Sequence, residues 1–255
     1  MSGILELFKL GGKTAIVTGA NRGLGQAVAL ALAEAGADIA AVSLHSPEET
    51  VAQIRALGRR AEAFPADLGE RAALPSLYAQ IKERFPTPDI LVNNAGIIRR
   101  AAFADFTEKD WDDVLGVNLD AAFFLSQLFV RDLLGREARG KIIHIASMLS
   151  FQGGVRVPSY TAAKSGLAGL TRLMANELAA RGINTNAIAP GYMATDNTAA
   201  LRADVTRNTE ILGRIPAARW GTPDDIKGAA VFLASPASDY VNGHVFAVDG
   251  GWLAR

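Results

Sequence analysis

Short apolar runs alternate along this chain with longer stretches in which apolar residues return every three or four positions. Residues 14–17 are a β-prone run ending in Thr18-Gly19, after which Leu24, Val28 and Leu32 keep helical spacing until Gly36. Residues 37–44 predict a second strand. Ser46-Pro47-Glu48-Glu49 then reads as a capping box with proline at the first helical position, and Gly58 as that helix's stop. Residues 61–66 and 89–92 predict two further strands, separated by a helix carrying Leu74, Leu77, Tyr78, Ile81 and Phe85 on one face. Thr107 opens a helix whose stripe is Trp111, Val114, Leu115, Phe124, Leu125 and Leu128. A fifth strand at 141–146 precedes a helix that starts near Pro158 and carries Leu167, Leu170 and Leu173. Strands at 183–189 and 244–248 flank a last helix, which Thr222 caps and which runs to about residue 234.

Strand and helix in regular alternation predict an α/β fold: a doubly wound parallel sheet of about seven strands, Rossmann-like, with helices on both faces and right-handed crossovers. The chain has 255 residues, 49% of them apolar, and no linker, repeat or low-complexity stretch, so a single domain over 1–255 is expected. Residues 197–219 break the pattern. They are more polar and carry Arg202, Arg207, Arg214 and Arg219, as a mobile cover over a site would.

The chemistry gathers at predicted strand ends, where open parallel sheets bind ligands. TGANRGLG lies between the first strand and first helix. Gly19, Gly23 and Gly25 leave room for a tight turn and for a pyrophosphate at the helix N-terminus, with Arg22 near enough to approach a phosphate. At the end of the second strand, where an acid would mark an NAD site, stand Ser43 and His45. Asn93-Asn94-Ala95-Gly96 suits close approach of a planar ligand, and suits an ordinary Asn/Gly turn equally. Asn118 falls on an apolar stripe, either tying backbone to backbone or holding a water or lysine in the site. Ser147 ends the fifth strand. Tyr160 and Lys164, four apart on a helix, share a face. A phenol titrates near 10, and an ammonium in hydrogen-bonding range lowers a neighbouring acid by roughly 1 to 3 units. Bringing the phenol to about 7 takes roughly 4 kcal/mol of differential stabilisation.

Composition removes several alternatives. Lys plus Arg and Asp plus Glu are 26 each, so no global field draws nucleic acid or an anionic membrane. The absence of cysteine excludes disulfides, thiolate metal sites and cysteine nucleophiles. His45, His144 and His244 are too scattered to ligate together, and no metal is expected in the chemistry. The opening MSGILELFKLGGK carries Glu6 and Lys9 within its apolar stretch and does not read as a secretory signal. No uninterrupted apolar run approaches the roughly 18 residues of a membrane span, so a cytoplasmic protein is the expectation.

TGANRGLG, NNAG, Ser147, YTAAK and PGYMAT, in that order over nearly the whole chain, resemble the short-chain dehydrogenase/reductase family. The resemblance implies that Ser147, Tyr160 and Lys164 form the catalytic set with Asn118 as its fourth member. It further implies that a nicotinamide dinucleotide lies against Gly19, Asn21, Arg22, Gly23, Leu24, Gly25, Ser43, Asp67, Leu68, Asn94, Ala95, Gly96, Tyr160, Lys164, Pro190, Gly191 and Thr195. Longer matching stretches imply a branch that interconverts a secondary alcohol and a ketone on a six-carbon sugar acid. NAD is the expected cofactor, NADP the alternative, and a homotetramer the expected assembly. A dinucleotide-sensing protein without activity is the rival reading; it calls for a broken Ser, Tyr or Lys position, and all three are filled. A sugar acid also needs a cation for its carboxylate, and arginine can meet one with two parallel hydrogen bonds. Arg100 and Arg156, then Arg99, are the candidates by their place on loops beside the fourth strand's end and before Tyr160.

Overall fold

The computed structural model describes residues 3–255. Seven parallel strands form one sheet in the order β3-β2-β1-β4-β5-β6-β7. They are β1 (Thr14–Thr18), β2 (Asp38–Ser43), β3 (Ala61–Pro65), β4 (Ile90–Asn93), β5 (Gly140–Ile145), β6 (Ile183–Pro190) and β7 (Val245–Val248). The order reverses between β1 and β4, which opens a crevice beyond their C-terminal ends.

Burial explains why these strands read as apolar runs without alternation. Every residue of β4, β5 and β6 is buried, because helices cover both faces. On one face Val17, Ile39, Ala41, Val92 and Ile143 pack against α1 (Gly23–Glu34), α2 (Glu48–Ala56) and α9 (Lys227–Ala234). On the other, Ile16, Val42, Leu91 and Ile142 meet α3 (Leu74–Arg84), α5 (Ala121–Gly135) and α6 (Pro158–Leu178). Neighbouring residues of a strand serve opposite cores, as its two-residue period requires.

Several local expectations change. The capping box at Ser46 does not form: α2 begins one residue later with Pro47 at the cap, and the Ser46 hydroxyl donates to Glu48 Oε1 at 2.9 Å instead. Thr107 does cap α4 (Glu108–Leu115) by accepting from the Asp110 N–H. The continuous helix expected beyond it is broken by a π-helical turn, Gly116–Asp120, before α5. Trp111, placed on the apolar stripe by its spacing, is 39% exposed; Val114 is the residue of α4 that is buried. Taken together, Glu108–Gly135 is long and apolar enough to cross a membrane. Its α5 part spends Leu125, Phe129 and Leu133 on the core.

The polar segment 197–219 is largely helical. α7 (Ala199–Ala203) and α8 (Val205–Arg214) lie over the C-terminal end of the sheet. Ile211 and Ile215 seat on Met148 and Trp252, with Tyr192 and Trp220 around them. Thr222 and Asp225 form the predicted reciprocal cap, although it opens a 3-10 turn, Pro223–Ile226, ahead of α9.

Candidate active site

A cleft of about 410 Å³ occupies the crevice where the strand order reverses. Its first wall is the glycine turn. Gly19 and Gly23 hold φ of +66° and +58°, a region costly for residues with a Cβ. A Cβ on Gly25 would lie 2.1 Å from the Gly19 carbonyl oxygen, so the turn closes only on glycine. The first residue pair of α1 opens onto the cleft without a side-chain cap, which leaves its N–H groups available to an anion. Asn21, Arg22 and Leu24 complete that wall.

The second wall is the NNAG segment, held by a residue that spacing alone did not single out. Thr18 Oγ1 accepts from the N–H groups of Asn94 (2.9 Å) and Ala95 (3.0 Å) and donates to the Val92 carbonyl at 3.3 Å. Asn94 Nδ2 in turn donates to the Thr18 carbonyl at 2.8 Å. The ordinary turn and the ligand wall are thus one object: Asn94 spends its amide on the glycine turn, while Asn94, Ala95 and Gly96 line the cleft. The signal available in the sequence was the Thr-Gly pair at the end of the first strand.

Ser43, Asp67 and Leu68 line one end of the cleft, along with Leu44 and His45. Pro190, Gly191 and Thr195 line the far side with Met193 and Asp196, joined by Asn197 and Thr198 from the beginning of the cover. Gly191 is required there, because an added Cβ would sit 2.6 Å from the Asp249 Cα.

At the other end β5 delivers Ser147, and α6 presents Tyr160 and Lys164, all three on the cleft. Ser147 is fixed by the Leu149 N–H, which donates to its Oγ at 3.2 Å. The Ser150 hydroxyl donates to the Lys164 carbonyl at 2.6 Å, and the Ser165 hydroxyl to the Leu149 carbonyl at 3.1 Å, so the serine loop is stitched to α6. Lys164 Nζ lies 5.6 Å from the Tyr160 ring centroid and donates to the Ile145 carbonyl at 2.6 Å, which leaves two of its donors for the cleft. Burial lowers Lys164 to about 8.

Tyr160 differs from the expectation. Burial raises its phenol, and the Ser147 hydroxyl and the Arg100 charge oppose that shift without reversing it. Lys164 is not among the groups that lower it, so lysine spacing alone does not deliver a phenolate.

Asn118 stands apart from the cleft lining. It is buried in the π turn, where Oδ1 accepts from the Ile97 N–H at 2.8 Å and Nδ2 donates to the Ile97 carbonyl at 2.9 Å, tying backbone to backbone just beyond NNAG. The three arginines part company too. Arg99 pairs with Asp110 at 3.3 Å. Arg156 is exposed on the serine loop at φ +64°. Arg100 reaches the Asn197 carbonyl of the cover at 3.4 Å and lies close enough to act on Tyr160.

The cleft fits a dinucleotide: a glycine cradle that a Cβ would fill, open helix N–H groups, and a lysine with free donors beside a serine and a tyrosine. Comparison with known proteins agrees. A family profile described as enoyl-(acyl carrier protein) reductase matches residues 19–253. The chain belongs to the short-chain dehydrogenase/reductase family and is an NAD(P)-dependent oxidoreductase. It is 58% identical over 252 residues to 2-dehydro-3-deoxy-D-gluconate 5-dehydrogenase of Escherichia coli, covering 99% of this chain and 100% of that protein. With the Bacillus subtilis protein of the same name it shares 55% over 251 residues, 98% of each. The structure of a gluconate 5-dehydrogenase from Burkholderia cenocepacia in complex with NADP and tartrate superposes with a TM-score of 0.94 at 38% identity, covering 99% of this chain and 100% of that one.

Proposed function

We propose that this enzyme interconverts a secondary alcohol and a ketone on a six-carbon sugar acid, as a 2-dehydro-3-deoxy-D-gluconate 5-dehydrogenase, with gluconate 5-dehydrogenase or 2-deoxy-D-gluconate 3-dehydrogenase activity as the alternative. The observation that carries the chemistry is the convergence of Ser147, Tyr160 and Lys164 at one end of a cleft whose other end is a glycine turn. The substrate class is carried over from relatives at 55% and 58% identity. The family profile's description names an acyl carrier substrate, and the sugar-acid relatives weigh more because they match this chain from end to end.

When bound, the nicotinamide supplies the hydride acceptor or donor. In the oxidising direction Tyr160 takes the hydroxyl proton and Ser147 donates to the developing carbonyl oxygen. Lys164, anchored on Ile145, orients the cofactor with its two remaining donors and supports the phenolate. Burial raises the phenol, and the Ser147 hydroxyl and the Arg100 charge work against that rise from the protein side. Asn118 acts from behind, fixing the Ile97 backbone so that NNAG keeps its shape. Arg100 receives the carboxylate: it borders both Tyr160 and the cover, and its present acceptor is a single backbone carbonyl. Arg99 and Arg156 rank behind it, the first because Asp110 already holds it. The 197–219 segment closes over the substrate.

The same reading calls for the cytoplasm, where a dinucleotide pool is maintained, and for a homotetramer. Tyr240 is fully exposed, and β7 is an edge strand with Phe246 37% exposed, which suits a subunit contact within 239–255. A monomer in sedimentation equilibrium removes the tetramer. Turnover of 3-deoxyaldulosonates, aldonates and uncharged polyols with each dinucleotide tests the rest. Preference for an uncharged polyol would overturn the substrate class.

A further inference from the structure

The end of β2 carries no acid to repel a 2′-phosphate, since Ser43, Leu44 and His45 stand there. Discrimination between the two dinucleotides must then come from elsewhere in the cleft, and two charged side chains face each other across it. Arg22 Nη1 donates to Asp196 Oδ2 at 2.9 Å, joining the glycine turn to the residue just ahead of the cover, 174 positions further on. Among the described residues Arg22 is the one guanidinium that lines the cleft itself, Arg100 reaching the Asn197 carbonyl at its border, and Lys164 lies at the catalytic end. The turn that carries Arg22 is bonded directly to the ribose-reading strand end, because the Ala20 N–H donates to the Val42 carbonyl at 3.2 Å. Arg22 follows that bond by two residues and lines the same cleft as the strand end, and its guanidinium is engaged by Asp196.

We propose that Asp196 determines dinucleotide specificity from the opposite wall: it competes with the 2′-phosphate for Arg22 and so favours NAD over NADP, in place of an acid at the strand end. The carboxylate acts through Arg22: it engages the cation a 2′-phosphate needs. NAD lacks that phosphate and loses little from the engagement. Both side chains are exposed, 68% and 73%, so solvent and salt moderate the competition and keep the effect modest.

The test is equilibrium binding to the full-length protein by calorimetry, with NAD, NADP and the fragments 5′-ADP and 2′,5′-ADP as probes. Asp196→Asn should tighten NADP and 2′,5′-ADP by about 3- to 10-fold while NAD and 5′-ADP move less than about twofold, in keeping with a charged hydrogen bond that solvent screens. In an Arg22→Gln background the same substitution should lose that selectivity. Asp196→Ser carries the same expectation should the asparagine disturb the turn. Equal tightening of both dinucleotides overturns the proposal, as does selectivity that persists without Arg22, which would leave plain repulsion by Asp196 as the cause.

Discussion

His144 is the buried titratable group from which the main effect of mild acid on stability is expected. It sits on β5 one residue before Ile145, the carbonyl that anchors Lys164, and it is 1% exposed. Its tautomer follows from its neighbour. The Thr171 hydroxyl donates to the Leu167 carbonyl at 2.7 Å, so at 3.0 Å from His144 Nδ1 it acts as acceptor, and Nδ1 carries the proton. Nε2 is then a bare acceptor with no partner among the described residues. Protonating it would place a cation in the core beside the Lys164 charge. Burial first, and Lys164 second, accordingly lower His144 from 6.5 to about 4.

The sign follows from proton counts. Above pH 6.5 folded and unfolded chains both hold the ring neutral; between 6.5 and about 4 only the unfolded chain takes up the proton, so stability falls as pH falls. At about 1.36 kcal/mol per pH unit the full deficit is about 3 kcal/mol, reached near pH 4. Asp132 and Asp239 are also held low. Burial opposes that shift, while hydrogen bonds from Lys82 and Arg136 at the first and from Lys141 at the second prevail, so their contributions are lost mainly below 3.8, outside this window. Urea unfolding at pH 7, 6, 5 and 4.3 should show most of the 3 kcal/mol in the wild type. His144→Asn keeps an amide that can meet Thr171 and does not titrate, and it should flatten the profile whatever its stability at pH 7. An unchanged slope in the variant would refute the assignment of the acid sensitivity to His144.

Two further expectations rest on separate parts of the molecule. Tyr160→Phe should abolish turnover and leave the dissociation constant for the dinucleotide within a few-fold of wild type by fluorescence titration, because the proposed mechanism gives the proton to the phenol and the phosphates to the glycine turn; retention of most of kcat would remove Tyr160 as the general base. Lys141 is buried at the opposite end of β5 and donates to Asn184 Oδ1 (3.1 Å) and Asp239 Oδ1 (2.7 Å), so Lys141→Ala, which leaves Asn184 Oδ1 without its donor, should cost about 2–3 kcal/mol in urea unfolding with kcat unchanged, and a loss under about 0.5 kcal/mol would show the network to be inert.

Most of the sheet was legible because a parallel strand covered on both faces is largely apolar without alternation, with buried Lys141, His144 and Asn184 to Asn186 as exceptions. The runs at 14–17, 89–92, 141–146 and 183–189 have no other soluble home in a chain that alternates them with helical periods. The glycine wall of the cleft was legible for a similar reason. Glycines that must lack a Cβ, such as Gly25 and Gly191, leave a mark in sequence that no side-chain contact can blur. What stayed hidden depends on pairing at long range. The arginine at position 99 reads the same as the one at position 100 until Asp110 claims one of them, and Arg22 looks like a free phosphate ligand until Asp196 arrives from the other side of the fold. Charge on a sequence says what a residue can bind; only the fold says what already binds it.

Asn118 marks the limit between these two cases. Its place on an apolar stripe announced a buried polar group that had to be satisfied, and that much is sequence information. An unbroken α-helix through 107–128 would have kept 3.6-residue phasing past it. Instead the chain widens by one residue per turn at Gly116–Asp120, and such π insertions cluster at functional sites because they re-aim a side chain at a cost in helix stability. Here both polar ends of Asn118 return that cost by bonding the N–H and the carbonyl of Ile97. The helix distortion, the asparagine and the shape of the NNAG wall therefore stand or fall together. The π turn is the local irregularity through which a core helix holds the cleft in register with the glycine turn.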